Sequence, residues 1–450
     1  MVSGAGLRRA GAPHARRRGG LVTQPNGFNL IRARLGIGRA LIFAVLVLVA
    51  AGCAAHVPPH LALPPLQLGE PSFFPTIEAY TATPIVGGNT VEVLLNGEEI
   101  FPAMIAAIRS AQKTLTYAQY YYEDGPVSRD IAEALAERCR AGVGGNVLLD
   151  GFGTTSMPAE YVELMKTSGC HVAIFRPLSP FSLRRANYRN HRRVLVVDGR
   201  LGFTGGSGVS YKWMGNGRVA DHWRDTDVRV RGPIVEYLQG AFAENWLEAT
   251  GVVLGGEAYF PRPIQPAGNV PAQVVRSSPA GGSFAMYTMF LLAIASARRS
   301  IFITNPYFVP DETMTDALLG AVRRGVRVVV LVPGVIDHNL VRQASRGKFG
   351  QLLKTGVEIH EYQAALLHSK TMVIDGVWST VGSTNLDNRS FALNDELNLV
   401  TYSPAVARRL QQIFADDLAH SRKLEYRRWS RRGIVDRLLE FLAWPIRDQL

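Results

Sequence analysis

The sequence reads NHRRVLVVDG at residues 190–199 and LHSKTMVIDG at residues 367–376. Each copy places a histidine, then a cation two residues later, then an aspartate five residues after the cation. Side chains of an extended strand alternate between its two faces, so the histidine and the cation of each copy share a face. The apolar run before the aspartate is typical of a buried strand that ends in an Asp-Gly turn. Each copy therefore predicts a strand that presents an imidazole beside a cation.

This spacing selects the candidate catalytic residues. An imidazole can attack or protonate, and a neighbouring cation can hold the oxygens of a phosphate group. A single histidine on a strand is more often structural, but two copies with matching flanks favour function. The two aspartates stand at strand ends, where they are expected to hold the motif together rather than touch a substrate. The candidates are His191, Arg193 and Asp198 in the first copy, and His368, Lys370 and Asp375 in the second.

A glycine-led turn follows each histidine, GGSG at 205–208 and GSTN at 382–385. Backbone N–H groups in such turns can approach an anion closely, and hydroxyl or amide side chains add donors. Farther along, each half has an acid that could accept an imidazole N–H and fix its tautomer. A solvated surface carboxylate is the alternative for either acid taken alone. The supporting candidates are Ser207 and Asp225 in the first half, and Ser383, Asn385 and Glu396 in the second.

The charge of the chain is concentrated at its two ends. Of 49 basic and 37 acidic residues, residues 1–52 hold eight arginines and no acid, and residues 421–450 hold eight basic and four acidic residues. The body between them is therefore neutral overall. A neutral body argues against a nucleic-acid enzyme, which needs a basic track along the phosphate backbone.

The N-terminus predicts export. Three arginines precede the apolar run 40–51, which is short for a bilayer span but suits the apolar region of a signal peptide. The segment that ends at Cys53 resembles a bacterial lipobox, which predicts a lipoprotein-type signal peptide over residues 1–52 and lipidation of Cys53. An uncleaved N-terminal anchor is the alternative. Either predicts a membrane-associated, extracytoplasmic protein.

The two remaining cysteines leave two interpretations open. In an exported protein, Cys139 and Cys170 could form a disulfide, or they could be ordinary buried cysteines. Three scattered cysteines without clustered histidines predict no metal site.

The folded part of the chain repeats itself beyond the motifs. The segments 107–115 and 293–301 match, as do 141–151 and 324–334. Helices that alternate with apolar strands predict an α/β fold of two homologous halves, each a mixed β-sheet flanked by helices, with the active site at their interface. The predicted domains are a Pro-rich tether at 53–90, a first half at 91–250, a linker at 251–275, a second half at 276–420 and a basic amphipathic segment at 421–450. That last segment suits a helix on an anionic membrane surface, with a helix packed on the body as the alternative.

The paired motifs resemble the HKD motifs of the phospholipase D superfamily, and the likeness is strongest to bacterial cardiolipin synthases of the short form without paired transmembrane helices. It spans about residues 90 to 445 and includes LLNGEE at 94–99, WRD at 223–225 and IDHNLVRQAS at 336–345. The resemblance implies a phospholipase D-like fold and a phosphatidyl transfer that needs no metal or cofactor. It implies that His191 attacks the phosphodiester to give a phosphohistidine, that His368 protonates the leaving alcohol and then deprotonates the incoming one, and that both cations bind phosphoryl oxygens.

The reaction implied by the resemblance converts two phosphatidylglycerols into cardiolipin and glycerol. The expected partners are a phospholipid and a membrane surface, not a nucleic acid, and the oligomeric state stays open. A phospholipase D that uses water or another alcohol is the alternative, because the same phosphohistidine serves every acceptor. A nuclease of the superfamily and a weakly active lipid-binding protein complete the alternatives. The last is motivated by Arg193, where the family usually has lysine, and by Gly208, where it usually has asparagine.

Overall fold

The structure is a computed structural model that describes residues 63–64, 66–178, 187–279, 282–337, 339–434 and 440. The helices in this part of the chain are α1 (Phe73–Thr81), α2 (Asn96–Arg109), α3 (Pro126–Arg140), α4 (Ala159–Thr167), α5 (Val235–Thr250), α6 (Ala285–Ser296), α7 (Glu312–Arg323), α8 (Asn339–Thr355), α9 (Asn388–Ala392), α10 (Pro404–Ala419) and α11 (Tyr426–Ser430). The strands are β1 (Val86–Leu95), β2 (Thr114–Gln119), β3 (Gly144–Asp150), β4 (His171–Phe175), β5 (Val194–Val197), β6 (Leu201–Gly205), β7 (Thr226–Arg231), β8 (Val270–Ser277), β9 (Ser300–Thr304), β10 (Arg327–Pro333), β11 (Glu358–Tyr362), β12 (Thr371–Ile374), β13 (Trp378–Gly382), β14 (Glu396–Tyr402) and β15 (Ser421–Lys423).

One mixed sheet of 15 strands passes through both halves of the chain. Strands β1 and β8 pair antiparallel near its centre. Outward from β1 the order is β7, β6, β5, β2, β3 and β4, and outward from β8 it is β14, β13, β12, β9, β10 and β11, with β15 at that edge. The two halves thus repeat one topology around the central pair. This confirms the predicted α/β fold with two similar halves.

The apolar runs of the motifs form β5 and β12, which lie in the interior of the sheet. Leu195 and Val197 face the core of the first half, whereas Val194 and Val196 face a core shared by both halves. The shared core also receives side chains of β7, β8, β12, β14, α5 and α10. A strand covered on both faces needs a continuous apolar run, which explains the apolar residues that directly precede each motif aspartate, four in the first copy and three in the second.

The aspartate of each motif links its strand to a neighbouring segment of the same half. Asp198 and Asp375 adopt left-handed backbone conformations, with φ of 52° and 54°. The Asp198 carboxylate accepts hydrogen bonds from the backbone N–H groups of residues 112–114 at 2.7–2.9 Å. The Asp375 carboxylate accepts equivalent bonds from residues 298–300 at 2.7–2.9 Å. Each carboxylate therefore ties the turn after the motif strand to the beginning of β2 or β9.

An Asp375→Asn variant tests this structural role. We expect it to lower the free energy of unfolding by about 2 kcal/mol, because backbone N–H groups bond more strongly to a carboxylate than to a neutral amide. Urea denaturation measures the change. The matched control is Asp221→Asn at an exposed loop position, which we expect to leave stability unchanged. Wild-type stability combined with lost catalysis would contradict the structural role and assign the Asp375 carboxylate to the reaction.

Two elements extend into segments predicted as connecting chain. Helix α1 lies in the predicted tether, and its Phe73 and Ile77, four residues apart on one face, are fully buried in the core of the second half. Strand β1 begins at Val86, before the predicted start of the first half, and β8 begins at Val270 inside the predicted linker. Proline content indicated connecting chain here, but the apolar residues of these segments pack into the cores of the folded halves.

A disulfide joins Cys139 near the end of α3 to Cys170 just before β4. The structure thus selects one of the two interpretations that the sequence left open. Gly145 in β3 makes room for the bond, since a Cβ at that position would lie 2.3 Å from the Cys139 Sγ.

Removing this disulfide should destabilise the first half. The bond spans a sequence separation of 31 residues, and a cross-link over a loop of this size contributes about 4 kcal/mol by restricting the unfolded chain. We expect a Cys139→Ala/Cys170→Ala variant to lose about that much free energy of unfolding. Urea denaturation of the wild type with and without reductant supplies the comparison, and reductant should not change the double variant. Equal stability of the oxidised wild type and the variant would show that the bond contributes nothing.

The predictions for the two ends of the chain fall mostly outside the described residues. This is so for the signal peptide, for lipidation of Cys53 and for most of the apolar stripe after residue 434, all of which stay predictions. In α11, Trp429 is buried, with its ring centroid 5.6 Å from that of Phe349 and the Arg346 guanidinium 4.5 Å from it. Among the described residues, no helix combines the length and the apolar character needed to cross a bilayer.

Candidate active site

Backbone pairing between the halves brings the two motif histidines to one place. The His191 N–H donates to the carbonyl oxygen of Asp395 at 2.9 Å, and the His368 N–H donates to that of Arg224 at 2.8 Å. Short parallel bridges form at both points, between the segment that carries a histidine and the segment that precedes the acid of the other half. The same crossing therefore occurs twice and sets each histidine beside an acid that is distant in sequence.

The side chains complete these crossings. His191 Nδ1 lies 2.9 and 3.1 Å from the two carboxylate oxygens of Glu396, and His368 Nδ1 lies 2.8 Å from Asp225 Oδ2. Both acids are completely buried, and the two histidines are only 6% and 5% exposed. A carboxylate at Nδ1 fixes the orientation of an imidazole and leaves Nε2 for chemistry. Each histidine is thus oriented by the opposite half.

The motif cations lie beside the histidines. Lys370 Nζ donates to the carbonyl oxygen of His368 at 2.6 Å and lies 3.0 Å from His368 Nε2. The Arg193 guanidinium donates to the carbonyl oxygens of His191 at 2.6 Å and Ser207 at 3.3 Å. Both cations are buried, so an anion placed between the imidazoles would meet two positive charges in a region of low dielectric.

This electrostatic environment keeps both imidazoles neutral in the free site. Burial, together with the charges of Arg193 and Lys370, lowers the pKa of His191 well below its ordinary value. Burial and the Lys370 charge lower the pKa of His368 to about 4, although the hydrogen bond to Asp225 opposes the change. A neutral imidazole can attack phosphorus, and an anionic substrate beside the other imidazole would raise its pKa and favour its protonation.

The two orienting acids have opposite pKa shifts. Burial alone would raise the pKa of Asp225, but its hydrogen bond with His368 and the charge of Lys370 lower it to about 2. Burial raises the pKa of Glu396 to about 8 against the hydrogen bond from Ser383 and the charge of Arg193. The two pairs are therefore alike in geometry and different in charge.

The glycine-led turns lie against the same acids. In the second half, the Ser383 hydroxyl donates to Glu396, and Asn385 is buried with no hydrogen bond to its Oδ1 in the described part of the chain. In the first half, the Ser207 hydroxyl donates to Asp227 Oδ2 at 2.6 Å rather than to the orienting acid Asp225. Asp225 and Glu396 thus contact the histidines themselves, Ser383 contacts Glu396, and the carbonyl oxygen of Ser207 contacts Arg193.

Sequence reasoning missed the aromatic side chains around the imidazoles. The Tyr120 ring packs against His191 with centroids 4.9 Å apart, and the Trp213 and Trp223 rings pack against His368 at 5.2 and 5.5 Å. Trp223 could have been found from the sequence, because it lies two residues before Asp225 within WRD. Tyr120 and Trp213 adjoin no motif, so nothing in the sequence indicated their role.

The arrangement is suited to transfer of a phosphoryl group. Two oriented imidazoles can supply a nucleophile and a proton carrier, and two buried cations can stabilise charge on the phosphoryl oxygens. Among the described residues, no group of three or more His, Cys, Asp or Glu side chains is placed to hold a metal ion.

Comparisons with known proteins agree with this arrangement. A family model described as "Cardiolipin synthase, PLD-like domain" matches residues 104–246 and 290–418. The probable cardiolipin synthase YwiE of Bacillus subtilis is 34% identical over 356 residues, 79% of this chain and 71% of that protein. Cardiolipin synthase A of Pseudomonas putida is 35% identical over 342 residues, 76% of this chain and 71% of that protein.

Solved structures support the fold. The phosphatidylserine synthase of Haemophilus influenzae matches with a TM-score of 0.65 and 13% identity, covering 84% of this chain and 100% of that one. At this identity the match is evidence for the fold alone.

The pH dependence of a Lys370→Arg variant tests the role of the buried lysine. Burial lowers the pKa of Lys370 to about 7, so its charge is lost as the pH rises through that value. We therefore expect kcat/KM of the wild type for a short-chain phospholipid to fall above about pH 7, because this parameter reports ionisations of the free enzyme. Arginine keeps its charge there, so the alkaline fall should disappear in the variant even if its rate is lower.

The control for that profile is Lys166→Arg on the exposed side of α4, which should behave like the wild type. An unchanged alkaline fall in Lys370→Arg would assign the fall to another group.

Proposed function

Because this chain belongs to the cardiolipin synthase family of phospholipase D-like phosphatidyltransferases, we propose that it converts two phosphatidylglycerols into cardiolipin and glycerol. The observation that supports the proposal most is the double crossing, in which His191 and His368 are each oriented by an acid of the opposite half beside a buried cation. Since the substrates are phospholipids, we propose that the reaction takes place at a membrane surface.

In the first step, His191 Nε2 attacks the phosphorus of one phosphatidylglycerol. Once the anionic substrate is bound, His368 takes up a proton at Nε2 from solvent. The P–O bond to the headgroup glycerol then breaks, and His368 gives this proton to the departing glycerol oxygen. The product is a phosphatidyl group bonded to His191 Nε2. In its ionised form, Glu396 accepts a hydrogen bond from the Nδ1–H of His191 and stabilises the positive charge that grows on the attacking ring.

In the second step, the headgroup hydroxyl of another phosphatidylglycerol gives its proton to His368 Nε2 and attacks the same phosphorus. The P–N bond to His191 breaks, cardiolipin forms, and His368 is again protonated at Nε2, as it was before the first step. Arg193 and Lys370 balance the negative charge on the phosphoryl oxygens in both steps. Water can replace the second lipid in this scheme, so hydrolysis to phosphatidic acid is the competing outcome.

Vesicles that contain labelled phosphatidylglycerol test the reaction. We expect the purified protein to form cardiolipin and glycerol, and His191→Ala and His368→Ala variants to lose more than about a thousandfold in rate, as removal of a nucleophile or its proton carrier does. The matched control is His360→Ala, because the His360 ring lies on β11 and makes no hydrogen bond within the described residues. Phosphatidic acid as the main product would replace the synthase with a hydrolase, and no turnover by the wild type would overturn both.

The order of the two histidines requires a second substrate. In the p-nitrophenyl ester of phosphatidic acid the leaving group departs without a proton, so it bypasses the general acid. If His191 is the nucleophile, His368→Ala should still release nitrophenolate and accumulate the phosphatidyl enzyme, whereas His191→Ala should release none. The reverse pattern would make His368 the nucleophile.

A further inference from the structure

The position of the Trp213 side chain explains why residue 208 is a glycine. A Cβ at this position would lie 2.8 Å from Trp213 Cη2 and 2.9 Å from Trp213 Cζ3. Trp213 ends a short 3-10 helix over Tyr211–Trp213 and is only 2% exposed. The indole therefore occupies the space into which an asparagine side chain at 208 would extend.

The indole makes a contact that matters for the site. Trp213 Nε1–H donates to Asp225 Oδ2 at 2.8 Å, the same oxygen that lies 2.8 Å from His368 Nδ1. The edge of the indole also meets the His368 ring at nearly a right angle, 89°, with centroids 5.2 Å apart. Trp213 thus contacts both members of the Asp225–His368 pair.

A count of hydrogen-bond donors settles the tautomer of His368. Oδ2 of Asp225 receives the indole N–H of Trp213, and Oδ1 receives the backbone N–H of Thr226 at 2.8 Å. Neither group can accept a hydrogen bond, so both oxygens of Asp225 act as acceptors. Lys370 Nζ lies about equally far from both ring nitrogens, 2.9 Å from Nδ1 and 3.0 Å from Nε2, so it favours neither tautomer. His368 Nδ1 is then the donor in its bond to Asp225, and Nε2 is the nitrogen that gains and loses a proton during the reaction.

In the second half, hydroxyl groups take the place of the indole beside the orienting acid. Five residues after Asn385, at the position that corresponds to Trp213, stands Ser390, whose hydroxyl accepts the backbone N–H of Asn385 at 3.2 Å. Glu396 there receives the hydroxyl of Ser383. Hydroxyls can both donate and accept, so this environment does not require its acid to be an acceptor as the indole does.

We propose that Trp213 is a positioning residue, which holds Asp225 as an acceptor and thereby fixes the ring and tautomer of His368 for proton transfer, with Gly208 providing the space that the indole needs. The role in turnover rests on the proposed phosphatidyl transfer, whereas the tautomer does not. On this proposal, Gly208 does not mark a weakened first half, because the indole N–H supplies a donor in place of the missing amide.

The first test is Trp213→Phe, which keeps an aromatic ring and removes the N–H. We expect kcat to fall about tenfold or more with KM nearly unchanged, because a poorly oriented proton carrier impairs chemistry more than binding. The matched control is Trp246→Phe, which removes a buried indole N–H that makes no hydrogen bond in the described part of the chain. Equal effects of the two substitutions on kcat would overturn the proposal.

A double-mutant cycle tests the link to Gly208. Gly208→Ala should displace the indole and reproduce the loss in kcat of Trp213→Phe, because its Cβ would meet the six-membered ring of the indole, here called the outer ring. In the Trp213→Phe background that outer ring is absent, so Gly208→Ala should cost little more. Additive losses in kcat would show that the two positions act independently.

Nitrogen NMR of protein labelled in histidine gives a readout that needs no substrate. The His368 signals, assigned through His368→Ala, should report a single Nδ1–H tautomer in the wild type and in Trp246→Phe, and a mixture of tautomers in Trp213→Phe. An unchanged single tautomer in Trp213→Phe would refute the positioning role whichever lipid proves to be the substrate. A mixed tautomer in a protein that makes no cardiolipin would instead refute only the proposed reaction.

Discussion

Each histidine of the site is oriented by an acid from the other half of the chain, and this double crossing constrains much of the structure. His191 pairs with Glu396 and His368 with Asp225. In each pair, the backbone N–H of the histidine also donates to the carbonyl oxygen of the residue just before the acid. Neither half therefore contains a complete site. A slip of one residue at either crossing would turn the acid to the opposite face of its strand and leave a buried imidazole without a partner.

The burial of the site explains its electrostatics. Two cations, two imidazoles and two acids lie together with almost no exposure, so each charge is felt strongly by the others. Burial, together with the charges of the cations, lowers the pKa of both histidines and leaves neutral rings in the free site. Of the two orienting acids, Asp225 has a lowered pKa and Glu396 a raised one, so one carboxylate faces two cations and the site has charge to spare for an anion.

The two halves differ both in the motif cation and in the residue that binds the glycine-led turn. The first half has Arg193 where the second has Lys370, and it has Asp227 opposite Gly205 where the second has Asn398 opposite Gly382. Asp227 accepts the backbone N–H groups of its glycine-led turn, as Asn398 does with one. Burial and the charge of Asp225 raise the pKa of Asp227 to about 6, while Arg193 opposes that rise. An extra acid thus accompanies the larger cation.

The sequence alone determined the strands, the repeat and the candidate reacting groups. Alternation along a strand and burial on both faces are local properties, which a motif such as VLVVD followed by glycine records directly. It could not determine which acid serves which histidine, whether Cys139 and Cys170 pair, or what fills the space beside Gly208. Those outcomes depend on distances between segments far apart in the chain. The tertiary structure decided them by packing both halves onto one core, which set Trp213 against Asp225 and each carboxylate beside the histidine of the opposite half.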